Sequence, residues 1–266
     1  MAATAQAHTA SNEPNALVKS LPRAGRENNL VWSERAVADM GSGAPDHWTY
    51  IVLLGGDDTT SFRLRLAQAH LRSDMLPSYW SHAMLAKLNG NSVKGAQAIH
   101  VPLDQPAPPV YPRRTNGVVA TPIEKFSNPN RHPNIALIAL PVAQAEVLDK
   151  IERFKESRGT LDALEFVLRW LAFCWGAARP TNPLLEGYGT PSSCMLEIAC
   201  AAARFDLTPG LEARIACPEA IWAAALHWQK FYSERHDGRV PMGRYSAKHT
   251  YPIFDQDDPG PTGPGA

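Results

Sequence analysis

The chain has 266 residues, enough to bury a full hydrophobic core as one large domain or two small ones. Apolar residues make up 44% and charged residues 20%, and 26 Lys and Arg balance 26 Asp and Glu. Zero formal charge argues against a general nucleic-acid or anionic-membrane binder, because both need surplus cations.

Four cysteines (Cys174, Cys194, Cys200 and Cys217) fall in the last third, with no CxxC pair among them. That argues against a disulfide scaffold and against a cysteine-rich zinc site. The N-terminal stretch has no basic region leading into an apolar run, and no apolar stretch is long enough to span a bilayer. No transmembrane segment is therefore expected, and a reducing cytoplasm is the expected compartment.

Residues 1–45 are rich in Ala, Asn, Ser and Gly and read as a mobile arm, on which Leu30-Val31-Trp32 could dock to the body. Trp48–Leu54 is β-branched and aromatic and stops at Gly55-Gly56-Asp57-Asp58, a strand ending in a turn. Ser61–Arg72 reads as a helix. Trp80–Leu88, the turn Asn89-Gly90-Asn91 and Gly95–Leu103 form an expected hairpin. A Pro-rich loop follows at 104–114, then strands at Gly117–Ala120 and Asn134–Leu140. From Ala143 the pattern turns helical: 143–157, 161–176, 193–204 and 218–232. The expected body is residues 46–254, and 255–266 is a Pro/Gly tail with no pattern for a helix or strand. The fold class expected is α+β: a strand and helix, then antiparallel strands, then a helical half.

The sharpest local feature is Thr190-Pro191-Ser192-Ser193-Cys194, which opens a helical pattern. Ser192 or Ser193 suits an N-cap, and Glu197 suits a capping box. Cys194 would then lie in the first turn, where unpaired N–H groups and the helix dipole favour a thiolate and can hold an oxyanion. The competing reading is a small buried hydrophobe, the usual fate of a free cysteine and the better fit for Cys174 and Cys200. A thiolate needs a base. Among nine histidines, His82 opens a strand inside an apolar run, and His100 lies in the partner strand. Two such histidines can be neighbours, one acting and the other orienting it.

The order of these parts resembles the permuted papain-like hydrolases, the YiiX-type branch related to lecithin–retinol acyltransferase and NlpC-type enzymes. The resemblance rests on Leu53-Leu54-Gly55-Gly56-Asp57, on Tyr79-Trp80-Ser81-His82-Ala83 and on Ala98-Ile99-His100-Val101. It continues in Ser193-Cys194-Met195-Leu196 and in Phe205-Asp206-Leu207-Thr208-Pro209, with histidine before cysteine in the chain. It covers roughly residues 48–225. Met195 stands where the family usually has serine, and His100 where the YiiX branch usually has an acid.

The resemblance implies a circularly permuted papain-like α+β fold, a helical half packed on a small antiparallel sheet, and a cysteine hydrolase of amide, peptide or acyl-ester bonds, or an acyltransferase. Cys194 would be the nucleophile, His82 the base and His100 its orienter, with no metal or cofactor. The expected partners are a peptide or acyl-lipid substrate, with a protein partner as a further possibility. The alternative is a catalytically inactive papain-like module serving as an interaction or structural subunit. A nucleic-acid role would rest only on Arg113, Arg114, Arg239, Arg244 and Lys248, against the charge balance.

Overall fold

The computed structural model describes residues 16–42, 46–103, 111–159, 161–232 and 239–248. The expected tail 255–266, the first fifteen residues and most of the Pro-rich loop lie outside the described residues.

The fold is mixed α/β, with a seven-stranded sheet and seven α-helices among the described residues. The strands are β1 (Val18–Ser20), β2 (Thr49–Gly55), β3 (His82–Asn89), β4 (Ser92–His100), β5 (Val119–Pro122), β6 (Asn134–Leu140) and β7 (Met242–Ser246). They lie in the order β1-β7-β6-β2-β3-β4-β5. All pairings are antiparallel except that of β1 with β7. The helices are α1 (Asn29–Met40), α2 (Thr59–Ala67), α3 (Gln144–Glu156), α4 (Ala163–Trp175), α5 (Pro191–Ala202), α6 (Pro218–Leu226) and α7 (Trp228–Tyr232).

Central strands β2 and β6 are buried along their whole length because helices cover both faces. Successive side chains alternate between faces. Ile51, Leu53, Ala83, Leu85 and Ile99 join one cluster with residues of α3, α4, α5 and α6. Tyr50, Val52, Leu54, Met84 and Ala98 join a second cluster with Trp32, Ala36, Val37 and Met40 of α1.

Three expectations change. Residues 18–40 are not an arm: they form β1 and α1. Asn28 caps α1 through its side chain, and left-handed Gly41 ends it. Trp32 is fully buried, an anchor of the kind whose truncation to alanine costs about 3–5 kcal/mol. The sheet is not small, and β7, which the sequence pattern does not announce, inserts between β1 and β6. Finally, the segment 218–232 breaks at His227 into α6 and α7.

Candidate functional site

His82 is the first residue of β3 and pairs across the sheet with Leu54. His100 ends β4, opposite Val119. The hairpin brings the two rings together as the sequence suggested: His82 Nε2 lies 2.8 Å from His100 Nδ1. On its other side, His100 Nε2 lies 3.0 Å from the Thr121 hydroxyl. The bonds can run in either sense. In one, Thr121 accepts from His100 Nε2–H and His100 Nδ1 accepts from His82 Nε2–H, leaving a lone pair on His82 Nδ1. In the other, His82 Nδ1 carries the proton. Shifting one proton at each ring converts one form into the other.

Burial holds both rings neutral. His100 is 3% exposed, and its pKa is pushed down to about 4 by desolvation and by the nearby Lys125. Desolvation, with His100 and His132 as further causes, lowers His82 well below the ordinary histidine value.

The pair lines a cleft of about 690 Å³ at the end of the sheet. Asp57 and Asp58 come from the turn between β2 and α2, and Lys125, Phe126, Arg131 and His132 from the segment after β5. Leu64 of α2 and Leu171 and Trp175 of α4 form an apolar side. The Phe126 ring lies edge-on to His100, with centroids 5.6 Å apart, and 5.7 Å from His132. This segment is fastened from below. Buried Asn29 at the start of α1 donates its side-chain amide to the carbonyls of Phe126 (2.9 Å) and His132 (3.1 Å), and its backbone N–H to that of Ser127.

Cys194 does not join this site, which corrects the expected cysteine–histidine pairing. Opposed residues of antiparallel strands point to the same face, so His82 shares the face of Leu54, in the α1 layer. Cys194 belongs to the cluster on the other face, and the sheet lies between them. Its thiol is wholly buried and faces the carbonyls of Arg214 (3.4 Å) and Ala216 (3.6 Å). Burial, then the neighbouring Cys217, push its pKa well above the ordinary thiol value, the opposite of an activated nucleophile.

The oxyanion donor expected at Cys194 is also spent, because its N–H bonds to the Thr190 carbonyl at 3.0 Å. Thr190 occupies the N-cap position with Pro191 behind it, so the helix starts earlier than the serines suggested. Ser192 instead exchanges hydrogen bonds with the backbone of Val101. Glu197 accepts from Thr208 at 2.7 Å and closes no capping box.

Thr121, Phe126, Arg131 and His132 were not legible as site residues. Thr121 reaches His100 only through the β4–β5 register, in which it stands diagonal to it. Asp57 carried a signal as the acid closing the Gly-Gly turn after β2.

Among the described residues no group of His, Cys, Asp and Glu could hold a metal ion, and no helix is long and apolar enough to cross a membrane. No protein family, no curated protein and no solved structure matches the chain.

Proposed function

We propose that the chain is a hydrolase of amide, peptide or acyl-ester bonds that uses histidine general acid–base catalysis in this cleft, with water as the nucleophile. His82 takes a proton from water as the oxygen attacks the carbonyl carbon. It returns that proton to the leaving nitrogen or oxygen as the bond breaks. His100 and Thr121 orient His82 and set its tautomer. Lys125 and Arg131 line the same cleft and supply positive charge for the developing oxyanion.

The observation that carries this reading is the continuous chain from His82 through His100 to Thr121, on the wall of a cleft within the usual range for small-molecule sites. The thiolate mechanism of the papain-like resemblance has no such support, because its cysteine lies behind the sheet.

The test is turnover of a panel of nitrophenyl esters and aminocoumarin amides by folded variants. His82→Gln should lower kcat/KM by about 100-fold or more, while Cys194→Ala leaves it unchanged. Loss of turnover in Cys194→Ala, with His82→Gln unaffected, would refute the reading. A second reading, an inactive papain-like module that binds a partner, is favoured by the inert environment of Cys194. It expects ligand binding in the cleft with no turnover by any variant.

A further inference from the structure

Of the seven tryptophans, six are at most 7% exposed, whereas Trp175 is 67% exposed. Its place follows from the pattern of α4. Ala163, Phe166, Val167, Trp170, Leu171 and Cys174 form the buried stripe of that helix. Leu171 is both core and cleft wall, and Trp175 stands one turn further along on the same side. Gly176, left-handed at φ 68°, ends the helix there, so the indole closes the apolar side of the cleft.

The mounting is fixed. The Arg63 guanidinium of α2 donates to the carbonyl of Cys174, and Asn182 donates to that of Ala67 at 2.7 Å, tying α2 to both α4 and the chain that follows it. The indole is thus an exposed, amphipathic ring on a tied helix end, in a cleft also lined by Phe126, and a ring so placed can take an aromatic partner by offset or edge-to-face contact.

We propose that Trp175 is the specificity-determining residue of the cleft and takes an aromatic ring of the substrate against its indole. This rests on the reading of the cleft as a hydrolytic site. The substrate class is then an amide or ester whose scissile carbonyl sits beside an aromatic side chain, with the carbonyl at His82 and the ring at Trp175. Ring–ring contact favours an aromatic group over an aliphatic one of similar size by about 2- to 10-fold in affinity.

Because Trp175 is the exposed member of the seven, iodide quenching of intrinsic fluorescence reports on it. Trp175→Phe should remove most of the quenching in the free protein. The probes are N-acetyl-phenylalaninamide and N-acetyl-leucinamide, titrated into the full-length His82→Gln variant so that binding is read without turnover. The aromatic probe should suppress quenching saturably, and the aliphatic probe should need about 2- to 10-fold more.

Unchanged quenching up to the solubility limit, or equal half-saturation by both probes, overturns the proposal. So does quenching that is already lost in the free protein as its concentration rises, because a second copy would then cover the ring. Protection by the aromatic probe, together with wild-type protein that turns over no ester or amide, would sink the hydrolase reading and leave the ring site standing.

Discussion

Replacing His100 with asparagine keeps a polar group near the position of Nδ1 but removes the titrating ring. The unfolded chain binds a proton at His100 near the ordinary 6.5, whereas the folded protein does so only near 4. Between those values the unfolded state holds more protons, so stability rises with pH across the window. The contribution is complete above 6.5 and is lost as pH falls towards 4. At about 1.4 kcal/mol per pH unit, the interval corresponds to about 3 kcal/mol. His82, displaced in the same direction, steepens the slope.

The wild-type curve alone would hide this, because Glu219 works against it. Desolvation raises its pKa to about 7, so from 4.5 to 7 the folded protein holds a proton that the unfolded chain has lost, and stability falls with rising pH. Buried Glu197 is displaced in the same sense. The difference between wild type and His100→Asn cancels both carboxyls. Urea unfolding followed by tryptophan fluorescence at several pH values should show wild type losing about 3 kcal/mol relative to the variant between pH 7 and 4. Parallel stability curves would mean that His100 titrates like a solvated imidazole, and the neutral relay would be wrong.

Two further outcomes probe how the site is held. Asn29→Ala removes the amide donor from the carbonyls of Phe126 and His132 and should cost about 1–3 kcal/mol in urea unfolding. A cost within about 0.5 kcal/mol, the usual surface-substitution range, would show that the clamp holds nothing. Gly55→Ala would put its Cβ 1.9 Å from the Tyr79 carbonyl oxygen and 3.0 Å from the Asn134 Cβ, with β2 fixed between β3 and β6. We expect about 3 kcal/mol or more of destabilisation, read as a melting temperature lowered by about 6 °C or more, and an unchanged value would contradict the packing.

The hairpin was legible because Asn89-Gly90 sits between two apolar runs, and that pattern places His82 and His100 on adjacent strands. β6 was legible to the residue, as the apolar run Ile135–Leu140 behind Asn134, between a polar Asn/Arg/His/Pro stretch and Pro141. Less visible was the face each histidine takes. Ala83 and Leu85 are as apolar as Met84 and Ala86, because helices cover both sides of β3, so alternation carries no label for inside and outside. The cysteine failed for a related reason. A helix-start pattern places Cys194 along the axis of α5 but not around it, and packing against 214–216 turned the thiol away. α1 was hidden by its alanines, serine and charged residues between Asn- and Gly-rich flanks, although Trp32, Ala36 and Met40 keep helical spacing. β7, Met-Gly-Arg-Tyr-Ser, has little strand propensity and owes its conformation to the ladders on either side.

His82 opens its strand, so the ladder alone does not fix it, and the backbone leading into it is held by buried polar side chains. Arg65 donates to the carbonyls of Ser78 and Gly56, both at 2.9 Å, and Gln68 donates to that of Trp80 at 2.8 Å. The Ser78 hydroxyl donates to Glu219 at 2.5 Å, and the Ser81 N–H reaches the Leu54 carbonyl at 2.7 Å. Burying arginine, glutamine and glutamate is costly unless each finds partners, and well-packed apolar residues in such places are often equally stabilising. Their hydrogen bonds converge on the four residues before His82 and on the Gly56 turn that leads to Asp57. Such directional contacts fix geometry in a way that apolar packing does not. The polar network therefore holds the backbone that leads into His82 at the mouth of the sheet, which is the support that the proposed role of His82 requires.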